Sequence, residues 1–66
     1  MAFDQGDAVS WRTSQGRTEG KVVSKHTADF TFKDQQFRAS DDDPVYIVES
    51  AKTGSRAAHH EDALDG

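Results

Sequence analysis

A turn that runs directly into an alternating strand constrains the fold of this 66-residue chain most strongly. Gly6 and Asp7 form the turn, and the segment of residues 8–13 follows it. Within that segment Val9 and the single tryptophan, Trp11, are two positions apart, so both side chains point to one side of an extended backbone. A period of two is typical of a strand with one buried face, and the segment therefore predicts a β-rich domain.

Turn residues divide the rest of the chain into short segments with strand patterns. Besides residues 8–13, strands are predicted at residues 17–26, 30–32, 37–39, 45–50 and 56–59. Residues 61–64 predict one helical turn, and Leu64 is placed to close an end of the fold. This pattern predicts an all-β fold, a single small SH3-like barrel of about five strands with a C-terminal helical turn. Residues 1–5 are predicted to form a loose N-terminal arm, with the return of Phe3 onto the barrel as an alternative.

Two of the predicted strands carry irregular patterns. Gly20 lies inside the second strand and indicates a bulge or a close approach of another backbone. Val22 and Val23 cannot both face inward in a regular strand, so a bulge is expected near them. The strand at residues 45–50 is apolar on both faces, which indicates a central strand or one whose outer face a partner covers.

The small size of the chain limits the stability that its core can supply. Only 33% of the residues are apolar, and a core of this size contributes roughly 3–5 kcal/mol of net stability. The chain has no cysteine, so disulfides and thiolate metal sites are excluded. A weak structural homodimer through the outer face of Val45 and Ile47 is therefore an alternative to a monomer.

The sequence shows no signal for a membrane. No run approaches the roughly 20 apolar residues that a membrane span needs. The N-terminus lacks the basic start and apolar stretch of a signal peptide. A cytoplasmic protein that does not bind membranes is therefore expected.

Charge is divided unevenly along the chain, whose net charge is −4. Residues 1–40 hold six basic and five acidic residues, whereas residues 41–66 hold two and seven. Nucleic-acid binders normally present a basic face, so the acidic half argues against that function. The alternative is a basic stripe on the first strands, formed by Arg12, Arg17, Lys21, Lys25 and Arg38.

Several segments together resemble the hypervirulence-associated Tudor-like domain family. The matching segments are residues 6–11, 16–23, 39–50, 52–54, 57–59 and 63–64, in the order and spacing of the family. The resemblance implies one Tudor-like, SH3-type domain over residues 1–66. It implies no particular biochemical activity, because the family is named for an association and a fold.

Tudor domains in general hold methylated lysine or arginine in a cage of aromatic side chains, often with an acid nearby. Cation–π attraction to the ring faces explains this preference. Here the resemblance implies an aromatic site, with its acids at the rim, formed by Trp11, Tyr46, Phe37, Asp42 and Asp43. Trp11 and Tyr46 have polar tips, which favour positions at the rim of the barrel with their rings exposed to a ligand. The competing interpretation is that a domain this small needs its aromatic residues in the core, because Trp11 and Tyr46 alternate with valines as core residues do.

Metal binding and catalysis have little support in the sequence. The acidic run at residues 41–43 lacks the spacing of a calcium loop and is typical of a solvated turn. His59 and His60 are adjacent, so their side chains point to opposite faces of a strand and cannot share a metal. No nucleophile and base lie at an interpretable spacing. We therefore expect no metal, no cofactor and no enzymatic activity, but an interaction module for a protein or peptide, with a cationic or methylated segment as one candidate ligand.

Overall fold

Seven short strands and a single 3-10 turn form the fold in the computed structural model, which describes residues 3–66. The elements are β1 (Ala8–Thr13), β2 (Gly16–His26), β3 (Phe30–Phe32), β4 (Gln35–Phe37), β5 (Val45–Ser50), β6 (Arg56–His60), the 3-10 turn (Glu61–Ala63) and β7 (Leu64–Asp65). Five of the strands form an antiparallel sheet in the order β6-β5-β2-β1-β7. This sheet is curled into a half-barrel, and the 3-10 turn joins its two edge strands, β6 and β7. The predicted all-β class is confirmed.

The second sheet consists only of the β3–β4 hairpin, and here the predicted boundaries are wrong. Strand β4 covers Gln35–Phe37 rather than residues 37–39. The reason is a tight turn at Lys33 and Asp34, whose φ angles are 51° and 62°. Two successive residues at positive φ are typical of the two-residue hairpin turn whose twist fits antiparallel strands. The predicted strands at residues 30–32 and 37–39 leave a four-residue loop between them. The structure has a two-residue turn there instead.

The core lies on the inner face of the curled sheet. Its buried members are Phe3, Val9, Trp11, Val22, Tyr46, Val48 and Leu64. The alternation predicted for β1 and β5 is confirmed, because Val9 with Trp11, and Tyr46 with Val48, face this core. Leu64 also belongs to it, as expected for a residue that closes one end.

The described part of the predicted N-terminal arm is not loose. Phe3 is buried, and its ring meets the Tyr46 ring edge to face at a centroid distance of 5.5 Å. Its backbone N–H donates to the Tyr46 hydroxyl oxygen at 3.1 Å. Gly6 N–H donates to the Val22 carbonyl at 2.8 Å, which ties the segment to β2. Phe3 therefore packs back onto the half-barrel, as the alternative allowed, whereas Asp4 and Gln5 are exposed, and Met1 and Ala2 lie outside the described residues.

The outer face of β5 is covered within the same chain. Val45 and Ile47 are buried. The β3–β4 hairpin is attached beside them by the stacking of Phe30 on His26, at a centroid distance of 4.0 Å. At the other edge of this face, the Lys33 ammonium donates to the backbone carbonyl of residue 56 at 2.9 Å. A homodimer through Val45 and Ile47 is therefore wrong, since these side chains already have an intramolecular cover.

Both irregularities predicted for β2 are present. Val22 pairs with Val48 but Ser24 pairs with Ile47, so Val23 is the extra residue of a bulge. The bulge reverses the alternation, and the residues that follow it change faces. At Gly20 a side chain would overlap the backbone carbonyl group of residue 49 in β5, which confirms the predicted close approach.

Candidate functional site

A cleft of about 420 Å³ lies at the open end of the curled sheet, between the β1–β2 turn and the β5–β6 loop. Strand β7 is short and pairs only with Ser10 and Trp11 of β1. Beyond Trp11, the far end of β1 therefore has no strand on its outer side within the described part of the chain. Strand β6 is the opposite edge of the same sheet. The cleft adjoins the uncovered end of β1, at Thr13, and the start of β6, at Arg56 and Ala57.

Ten of the twelve residues that line the cleft are polar or charged, although more of its exposed surface is apolar than polar. Trp11 and Ala57 are the two apolar residues of the lining. The other lining residues are Thr13, Ser14, Gln15, Arg17, Thr18, Ser50, Lys52, Thr53, Ser55 and Arg56. An apolar contact surrounded by hydroxyl groups and charged side chains is typical of sites that orient a ligand with a few polar contacts.

Short hydrogen bonds fix the two loops that flank the cleft. In the β1–β2 turn, the Thr13 hydroxyl donates to the Gly16 carbonyl at 2.8 Å and accepts from the Gln15 N–H at 3.2 Å. In the β5–β6 loop, Gly54 N–H donates to the Ser50 carbonyl at 2.8 Å. These bonds explain why both loops are rich in serine, threonine and glycine, since such residues hold tight turns. The cleft is therefore preformed.

Three basic residues and no acidic one line the cleft. The Arg17 guanidinium donates through Nη2 to Asp65 at 2.6 Å. The Arg56 guanidinium donates through Nε to Glu49 at 3.1 Å. Neither carboxylate partner is part of the lining. The electrostatic character of the cleft is therefore basic, although the whole chain is acidic.

Trp11 lies beneath the cleft rather than at an exposed rim. Its side chain is buried in the core, where its ring is 5.7 Å from the His59 ring, centroid to centroid. Trp11 also lines the cleft. The expected exposed face is therefore absent, since only 4% of the residue is accessible.

The predicted rim position of Tyr46 is wrong. The residue is completely buried at 0% exposure, between Phe3 and the rest of the core. Its hydroxyl, which favoured a position at the edge of the fold, accepts the N–H of Phe3 instead. A buried tyrosine with a satisfied hydroxyl behaves as a core residue. The Tyr46 ring therefore offers no face to a ligand.

The structure does not bring the remaining members of the aromatic site to the cleft. Phe37 is in β4, where its ring stacks with Phe30 at a centroid distance of 5.5 Å. Asp42 and Asp43 lie in a separate acidic depression of about 450 Å³, which they line with Glu61, Asp62 and Leu64. Of the five predicted residues, only Trp11 lines the cleft.

The predicted basic stripe is split between surfaces. Arg12 and Arg17 are directly opposed on β1 and β2, and Lys21 follows on the same face. Glu19 lies between Arg17 and Lys21 on that face. The bulge places Lys25 opposite Tyr46 on the other face, and Lys25 Nζ is 5.9 Å from that ring centroid. Arg38 follows β4 and lies outside the five-stranded sheet.

The two adjacent histidines have separate surroundings. The His59 ring contacts Trp11, whereas His60 Nε2 bonds the backbone carbonyl of Arg38 at 3.1 Å and lies 3.6 Å from Asp43. Their predicted divergence is confirmed. Across residues 3–66, no group of three or more histidine, cysteine or acidic side chains is arranged to hold a metal ion.

We expect the stability of the protein to fall when the pH drops below about 6.5, partly through His59. Burial lowers the pKa of His59 below its ordinary value of 6.5, because the charged form loses solvation. The unfolded chain therefore takes up the proton first, so the contribution of neutral His59 is complete above 6.5 and is lost as the pH falls towards the folded pKa. When the pH is lowered from about 7.5 to about 5.5, the melting temperature should fall less for His59→Phe than for the natural protein.

His60→Phe is the control for this titration, since His60 is more exposed and lies outside the core. An equal loss of melting temperature in the natural protein and in His59→Phe would contradict the role of His59.

Sequence reasoning missed the β5–β6 side of the cleft. Lys52, Thr53 and Ser55 are not among the predicted site residues, although they line the cleft. A usable signal was present, because the two loops that flank the cleft are both rich in hydroxyl side chains. Nothing in the sequence, however, indicated that these two loops would face each other.

The curled all-β sheet, with its short closing strand and its cleft between two hairpin loops, defines a small domain of the Tudor class. The chain belongs to the family described as the hypervirulence associated proteins TUDOR domain, whose family model matches residues 6–64. No curated protein and no solved structure matches the chain. Within the described residues, no helix is long and apolar enough to cross a membrane.

Proposed function

We propose that the protein is a non-catalytic interaction module that binds an extended segment of a protein partner in the cleft. The observation that carries this proposal is the preformed cleft at the unclosed seam of the sheet, where two strand edges are available. Closure of the remaining seam would complete a barrel of the SH3-like type, and this finer description of the fold is part of the proposal. A cytoplasmic location remains a prediction from the sequence.

An extended peptide suits this cleft because of the free strand edges. Strand β1 spans six residues, but β7 covers only two of them. A peptide that enters the seam can pair its backbone with the uncovered end of β1 or with β6, as in strand addition. Exposed strand edges are otherwise a liability for aggregation, so an edge beside a polar cleft favours a binding role.

Nucleic acid is the weaker alternative. The stripe that would carry it is divided between faces, and Glu19 interrupts the part that remains on β1 and β2. Arg17 is in addition held by Asp65. A continuous basic face, which phosphate backbones require, is therefore not formed by these five residues.

A substitution that fills the cleft is expected to abolish or weaken peptide binding. Ser55 is exposed and lines the cleft, so Ser55→Trp should obstruct the cleft without disturbing the core. Peptides are first selected from a random display library against the natural protein, and their binding is mapped by NMR. We expect shifts at residues 11–18 and 50–57, and a loss of about tenfold or more in affinity for Ser55→Trp, corresponding to roughly 1.4 kcal/mol of contact energy.

Gln36→Trp is the matched control, since Gln36 is exposed on β4 and lies outside the lining. It adds the same side chain at a distant surface and should bind as the natural protein does. Selected peptides that bind both variants equally, or that shift only residues outside the two loops, would overturn the proposal.

A further inference from the structure

We infer that the ligand of the cleft is an acidic peptide, that is, an extended segment carrying aspartate or glutamate side chains. This inference rests on the proposed function and names the chemistry of the partner. Three of the twelve lining residues are basic and none is acidic, although the chain carries a net charge of −4. A basic cleft on an acidic protein selects ligands by charge complementarity. It selects the opposite charge from the cationic ligands that aromatic cages bind.

The two arginines that line the cleft are each paired with a carboxylate outside it. Arg17 uses Nη2 for its bonds to Ser10 and Asp65, and Arg56 uses Nε for its bond to Glu49. The other guanidinium nitrogens form no hydrogen bond within residues 3–66. The side chains of Arg17 and Arg56 are 51% and 54% exposed, so these donors remain accessible to solvent. These carboxylates compensate the charge of each guanidinium, so the charge preference of the cleft depends mainly on Lys52.

Lys52 supplies the charge that is not already compensated. It lies on the β5–β6 loop, is exposed, and forms no ion pair with any described residue. The hydroxyls of Thr53 and Ser55 lie on the same loop. Thr53 Oγ1 accepts the N–H of Ser55 at 3.2 Å, which leaves its own proton free to donate. Lys52 and these hydroxyls together provide donors and no carboxylate, as an anionic side chain requires.

A cluster of four acidic residues, Asp42, Asp43, Glu61 and Asp62, lies at the other end of β5. The acidic depression adjoins residues 42 and 43 before this strand, whereas the cleft adjoins Ser50 at its end. Six residues of strand separate the two by about 20 Å, or roughly two Debye lengths at physiological salt. A short acidic peptide in the cleft therefore interacts electrostatically with the cleft and only weakly with the acidic depression. A long polyanion such as nucleic acid would extend from one region towards the other and meet repulsion.

The test compares labelled peptides of one length that alternate threonine with glutamate, glutamine or lysine, measured by fluorescence anisotropy at low and physiological salt. The glutamate peptide should bind most tightly, and its affinity should fall as salt rises. Lys52→Glu should weaken it about fivefold, as expected when one partly exposed charge is reversed. Lys21→Glu is the matched control, because Lys21 is also exposed and does not line the cleft. It should leave the affinity unchanged.

Several outcomes would overturn the inference. These are equal or tighter binding of the lysine peptide, an unchanged affinity in Lys52→Glu, or tighter binding of an oligothymidylate that is weakened by Lys21→Glu. Ser55→Trp separates this failure from that of the proposed function. If glutamine or lysine peptides bind and Ser55→Trp blocks them, the cleft binds peptides and only the acidic preference is wrong. If Ser55→Trp blocks no peptide of any charge, both proposals fall.

Discussion

Replacing Gly20 with alanine is expected to leave the protein largely unfolded at physiological temperature. The added Cβ would lie 2.8 Å from the Trp11 ring carbon Cη2 and would overlap the Glu49 carbonyl oxygen. Neither neighbour can move easily, because the Glu49 carbonyl belongs to the backbone of β5, which is paired on both sides, and the Trp11 ring is buried. Overpacking costs about 1–3 kcal/mol and occasionally more. A domain of this size has only roughly 3–5 kcal/mol to lose.

Circular dichroism melting of Gly20→Ala beside Lys21→Ala tests this expectation. Lys21 is the next residue of β2, is exposed, and points to the opposite face, so its truncation should change the melting temperature little. If Gly20→Ala melts together with Lys21→Ala, the close approach of β5 to Gly20 is not a constraint on the fold. A chemical-shift spectrum of each variant shows whether the folded population has changed.

The sequence predicted best those features whose residue pattern depends only on which face of the strand is buried. In β1, burial alternates strictly at Val9 and Trp11, so period and position agree with the structure. The bulge at Val23 was predictable because two adjacent valines cannot share a face. The β3–β4 hairpin was misplaced because its turn depends on positive φ at Lys33 and Asp34, and neither residue is glycine or asparagine.

The candidate site was harder to predict because it depends on contacts between distant segments. The hydroxyl of Tyr46 favoured a position at the edge of the fold, but Phe3, 43 residues away in sequence, satisfies it inside the core. No local pattern reveals such a pairing. The cleft itself lies between two loops that are distant in sequence, the β1–β2 turn and the β5–β6 loop. Sequence periodicity indicates which residues are buried, but not which two loops will face each other across a gap.

Val48→Ala is expected to destabilise the protein by about 1–3 kcal/mol, through lost burial and the cavity that remains. Val48 is completely buried on the inner face of β5 and pairs with Val22 on the neighbouring strand. Ala57 lies opposite it on β6 and is too small to fill the space that the two methyl groups leave. Because the total stability is small, this change should produce a substantial unfolded population at 37 °C.

Gln35→Ala is the control for Val48→Ala, since Gln35 is exposed on the β3–β4 hairpin and its truncation leaves no cavity. Urea unfolding followed by Trp11 fluorescence measures both variants, because Trp11 belongs to the same core cluster as Val48. The midpoint should fall for Val48→Ala at a nearly unchanged slope, which identifies a loss of stability rather than a change in the denatured state. A midpoint equal to that of Gln35→Ala would mean that Val48 is not part of the core. The inner face of β5 would then have to be reassigned. The position of Trp11 beneath the cleft follows from that face and would have to be revised as well.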